Sequence, residues 1–231
     1  MGDLVDGEFD IIRTPREDEG LEARCALVIL IDCSLSMDGE PLAQVNAGLK
    51  TLFGELQQDP LAARRCEAAV LSFGQTVETE LDFTVVSKLP QAPQLSARGN
   101  TPMGEAILSA IDMVQTKKQV YKAEGRSYYR PWIFMLTDGM PTDEHNVPQA
   151  TRMVHEGERD RKFMFFAVGC MEADMDRLKD IASPSRPPLY LQGSRFAEMF
   201  EWLSRSMVTV SSSNPGDQKQ LPPVGWGTVS A

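Results

Sequence analysis

Six apolar residues in succession, Ala26-Leu27-Val28-Ile29-Leu30-Ile31, run straight into Asp32-Cys33-Ser34-Leu35-Ser36. The run is far shorter than the ~20 residues a membrane span needs, and it does not alternate as a one-sided strand would. It therefore reads as a strand, Cys25–Asp32, covered on both faces. Trp132–Thr137 repeats the pattern, and Phe163–Val168 gives a further strand. Strands buried on both faces belong to parallel sheets packed between helices.

The intervening segments supply those helices. After Pro41, suited to a first helical position, Leu42, Val45, Leu49, Leu52, Phe53 and Leu56 form one stripe. Ala106, Ile107, Ala110, Ile111 and Val114 do the same over Met103–Tyr121. Further helices are expected at Val147–Arg161, around Leu178 and Ile181, and at Arg195–Val208. Glu67–Phe73 is a second strand and Leu189–Leu191 a short one. In Val77–Phe83, apolar or β-branched residues alternate with acids. That segment reads as a half-exposed hairpin strand whose charges protect a sheet edge.

The expected fold is α/β, doubly wound and Rossmann-like. Its central sheet is mostly parallel and six-stranded, with one antiparallel edge strand and helices on both faces. The 231 residues, 42% hydrophobic, suit one large core. Three regions are expected: an arm over 1–23, the domain over 24–210, and a Ser/Pro-rich tail over 211–231. The tail's composition is that of a disordered segment, against which Val224 and Trp226 suggest docking on the body or on a partner.

The net charge of −10 disfavours nucleic acid as a partner. The acidic N-terminus lacks the pattern of a signal peptide, so a cytoplasmic protein without membrane attachment is expected. Cys25, Cys33, Cys66 and Cys170 form no CxxC pair, which argues against zinc. Cys25 and Cys66 begin two strands and are expected to stay reduced.

In doubly wound sheets, ligands bind beyond the carboxyl ends of the strands. Asp32, Ser34 and Ser36 lie at one such end, Thr101 precedes a helix, and Asp138 follows Trp132–Thr137. Taken singly, each has an ordinary explanation: a polar turn, a helix N-cap, an Asp-Gly turn. Together they offer two carboxylates and three hydroxyls, hard oxygen donors that suit Mg2+ with some waters. With only two anions around it, such a cation stays electrophilic and can accept a carboxylate from another molecule.

Asp32-x-Ser34-x-Ser36, then Thr101 65 residues later, then Asp138 a further 37 on, resembles the von Willebrand factor type A (vWA) domain and its metal-ion-dependent adhesion site, the MIDAS. The resemblance covers about 24–208. Gly99–Ile107, Leu136–Asp143 and the terminal Leu-Pro-Pro-x-x-Trp segment are similar to the bacterial stand-alone TerY/YegL type. The resemblance implies that Asp32, Ser34, Ser36, Thr101 and Asp138 ligate Mg2+, or Mn2+ or Ca2+ in its place, directly or through water. It implies recognition of a protein partner's acidic residue without catalysis. It also implies a bacterial stress or tellurite-resistance setting, with a protein kinase or PP2C-like phosphatase as partner. Cys33 falls between ligand positions and is not expected to bind.

Two rivals stand beside this reading. A phosphotransferase of the HAD type also begins from an Asp after its first strand, but needs a second Asp where Ser34 stands. A metal-independent scaffold would retain the fold without use for the five donors. No Walker A sequence, no Gly-x-Gly-x-x-Gly after the first strand and no Gly-x-Ser-x-Gly elbow is present, and His145 and His155 read as surface residues.

Overall fold

The apolar runs become the middle of a seven-stranded sheet in the computed structural model, which describes residues 11–12, 22–213 and 220–229. In chain order the strands are β1 (Ile11–Ile12), β2 (Cys25–Asp32), β3 (Cys66–Phe73), β4 (Val77–Val85), β5 (Tyr128–Tyr129), β6 (Trp132–Thr137), β7 (Met164–Gly169), β8 (Leu189–Leu191) and β9 (Gly227–Val229). The helices are α1 (Glu40–Gln58), α2 (Pro60–Arg65), α3 (Met103–Ala123), α4 (Val147–Arg159), α5 (Met175–Ile181) and α6 (Phe196–Ser211). The large sheet runs β4-β3-β2-β6-β7-β8-β9, and β1 pairs with β5 in a small antiparallel ribbon.

The period of two in a strand divides each apolar run between two cores. Leu27, Ile29 and Ile31 of β2 face α1 and α6, whereas Val28 and Leu30 face α3, α4 and α5. Every residue of β2, β3, β6 and β7 is buried, which is why these strands show no polar alternation. β4 keeps its exposed Glu78, Thr79 and Asp82 and pairs antiparallel with β3 at one edge.

The sheet differs from expectation at its other edge. β9 pairs antiparallel with β8, making a seventh strand and a second antiparallel edge. Trp226, just before β9, is buried and packs edge-on against Trp202 of α6, with ring centroids 5.7 Å apart. Most of the expected N-terminal arm and residues 214–219 of the expected tail lie outside the described residues. No described helix is long and apolar enough to cross a membrane.

The topology fixes where a site can form. β2, β6 and β7 are neighbours and parallel, so their carboxyl ends open onto one edge. The chain turns from β2 towards α1 on one face, and from β6 towards α4 on the other. This reversal at β2/β6 is the switch point of a doubly wound sheet.

Candidate metal centre

Asp32 is the last residue of β2 and is fully buried. The turn after it is built on its carboxylate: the Ser34 amide donates to Oδ1 at 2.9 Å. On the other side the Thr137 hydroxyl donates to Oδ2 at 2.5 Å. A short 3-10 helix, Leu35–Met37, then drives Met37 into the core and anchors the loop. Cys33 points into the α1/α6 core. Burial, and then the charge of Asp32, push its thiol up to about 12.

Four of the five expected donors are joined by hydrogen bonds. The Ser34 and Ser36 hydroxyls lie 3.1 Å apart, and Ser36 donates to Asp138 Oδ1 at 2.9 Å. Thr101 completes the group by position. A Cβ placed on Gly139 would stand 3.2 Å from Thr101 Oγ1 and 3.8 Å from Asp32 Oδ2. Both oxygens therefore face the spot that the missing side chain leaves open.

The Thr101 loop is held from two sides. Arg98 donates its amide to Cys33 O at 2.6 Å, and the Leu35 amide reaches Gly99 O. Gly99 has φ 65, and a Cβ there would meet the Gln75 backbone at 2.3 Å, so only glycine fits. The Arg98 guanidinium reaches Glu78, Glu80 and Ser72, tying the loop to the acidic face of β4.

Thr101 does not cap α3. The Asp143 carboxylate accepts from the Gly104 and Glu105 amides at 3.0 and 2.7 Å, capping α3 from the neighbouring loop. Capping by Asp143 leaves the Thr101 hydroxyl free to face the site. Sequence reasoning missed two residues here. Asp143 is not at a local cap position, and Thr137 ends an apolar run in which a hydroxyl was the available signal.

The electrostatics are those of a site short of positive charge. Among the described residues, neither Asp32 nor Asp138 pairs with a basic side chain. Burial raises the Asp32 carboxyl to about 6 against the opposing pull of the Ser34 and Thr137 hydrogen bonds. Burial also raises Asp138. Two desolvated carboxylates with hydroxyls between them fit a hard divalent cation. Among the described residues no three or more His, Cys, Asp or Glu side chains are grouped as a metal site would need, so the donors gathered here are two carboxylates and neighbouring hydroxyls. His155 Nε2 lies 2.9 Å from Ala182 O, and His145 is exposed on the loop before α4. No described histidine bonds to a hydroxyl or thiol as a nucleophile's base would.

Comparison with known proteins agrees with this architecture. The family model for the von Willebrand factor type A domain matches residues 26–202. No curated protein matches the chain. Among solved structures, a von Willebrand factor type A protein from Catenulispora acidiphila aligns with TM-score 0.58 and 17% identity, covering 87% of this chain and 49% of its own. The pilus adhesin SpaC from Lactobacillus rhamnosus GG, in an open conformation, gives TM-score 0.65 and 12% identity, covering 90% and 35%. Proximal thread matrix protein 1 from the mussel byssus, with a zinc-occupied MIDAS motif, gives 0.50 and 17%, covering 82% and 45%. The chain thus spans half or less of each of these solved chains, and at such identities the likeness is one of fold.

Proposed function

The chain belongs to the von Willebrand factor type A family, and we propose that its sheet edge is a MIDAS through which it binds a protein partner. Domains of this family bind protein ligands and are typically non-catalytic. One observation carries the proposal. Asp32 and Asp138 are buried, linked through the Ser34 amide and the Ser34 and Ser36 hydroxyls, and opposed by no basic side chain among the described residues.

In this reading Asp32, Ser34 and Ser36 hold the cation, Asp138 anchors it mainly through water, and Thr101 reports engagement of the partner. The bound cation supplies an electrophilic position for a carboxylate from the partner. Mg2+ is the proposed ion, with Mn2+ or Ca2+ as substitutes; the mussel protein's zinc shows that a relative's MIDAS accepts another divalent metal. The sequence resemblance to the TerY/YegL type supports a narrower search. The partner is sought among the protein kinases and PP2C-like phosphatases of a bacterial stress or tellurite-resistance system.

Titration calorimetry with Mg2+ tests the centre. Wild type should bind, Asp32→Ala should not, and Asp138→Ala should bind at least about tenfold more weakly. Equal binding by all three would sink the proposal. Turnover of a phosphate ester that depended on Asp32 would favour the HAD-type alternative instead.

A further inference from the structure

Four large apolar side chains are exposed among the described residues, and three of them gather at the carboxyl edge of the sheet. Leu35 (64% exposed), Met140 (57%) and Met171 (41%) stand on the loops that leave β2, β6 and β7, three consecutive strands. The fourth, Val120, lies near the far end of α3. Scattered apolar residues on a surface are ordinary, but three on adjacent loops around one polar centre are a pattern.

Their exposure is built in. Met171 has φ 55, a left-handed conformation that a non-glycine residue adopts only at an energetic cost. Its carbonyl is held by the Tyr190 hydroxyl at 2.7 Å. Leu35 is fixed between the two serines of the site, its amide bonded to Gly99 O. Met140 follows Gly139 directly, at the mouth of the centre. The same loops and the start of α1 expose Asp38, Glu40 and Glu172, so the apolar ring has an acidic surround.

We propose that this rim receives a protein segment carrying one acidic residue between apolar side chains, with basic residues outside them. The inference rests on the metal reading, since the acidic residue is the one that completes the centre. The apolar neighbours would cover Leu35, Met140 and Met171, and the basic residues would meet Asp38, Glu40 and Glu172. A uniformly acidic segment would be repelled by a chain of net charge −10. Methionine, unbranched and polarisable, suits a surface that conforms to another protein's side chains.

The test is selection of random dodecapeptides displayed on phage, with Mg2+ and with chelator. Wild type should enrich peptides with one acidic residue, apolar residues within two positions of it, and basic residues further out. Affinity for the enriched peptide, measured with Mg2+, should fall roughly tenfold or more in the variant Leu35→Ser, Met140→Ser, Met171→Asn. Asn is chosen at 171 because it tolerates the left-handed backbone. That variant should bind Mg2+ as wild type does by calorimetry, which separates loss of the rim from loss of the fold or the centre. Enrichment indifferent to chelator and to Asp32→Ala would overturn the metal reading beneath the inference. Metal-dependent enrichment without apolar neighbours, or full affinity in the triple variant, would overturn the rim. So would failure of any peptide to enrich, or self-association of wild type that the triple variant abolishes, since the occupant would then be a second copy.

Discussion

At the scale of single residues, the site depends on a hydroxyl that is not itself an expected ligand. Thr137 donates to Asp32 Oδ2 and so fixes which way that buried carboxylate faces. Supporting bonds of this kind typically change metal affinity ~10–100-fold when removed. Thr137→Val, nearly isosteric, should weaken Mg2+ binding by about tenfold while leaving the fold intact, as calorimetry and circular dichroism can show. Unchanged affinity would mean that Ser34 alone orients Asp32. The five proposed donors could be picked out in the sequence because each borders a recognisable strand or helix. Their supports could not. Asp143 caps a helix 40 residues upstream in the chain, and no local rule reads a cap supplied across a loop contact.

At the scale of elements, α6 is the piece on which two distant parts of the chain meet. It packs against α1, and its Trp202 donates to Pro222 O at 2.7 Å while Trp226 packs edge-on against it. Trp226→Ala would leave a large void beside α6 and should cost ~3–5 kcal/mol of stability. Urea denaturation followed by circular dichroism would read this as a lower midpoint; a loss below about 1 kcal/mol would show that the cavity collapses at little cost. Helices were legible because burial of one face imposes a period on them, and β2 and β6 because burial on both faces leaves continuous apolar runs. β9 was not, because three residues of intermediate or full exposure carry no pattern, and only the docked Trp226 hinted at it.

At the scale of the whole molecule, the buried carboxylates make stability and metal binding depend on pH in opposite senses. Asp32 titrates at about 6 when folded and near 3.8 when unfolded, so between those values the folded chain holds more protons. The contribution of Asp32 to the stability of the metal-free protein therefore falls as pH rises from about 4 to 6 and is not recovered above it. Mg2+ binds the deprotonated carboxylates, so the stability it adds should be small at about pH 5 and fully developed above about pH 7. Thermal unfolding with Mg2+ and with chelator at both pH values measures this. An equal rise in Tm at the two would count against Asp32 as a ligand.

β9 lies downstream of every other described strand, yet it closes the edge beside β8. During synthesis from the N-terminus, the β8 edge therefore stays open until β9 has emerged. Over that interval its unpaired amides and carbonyls offer a template to any other nascent strand. Among the described strands, the one made last is thus the one that covers the β8 edge and removes that template.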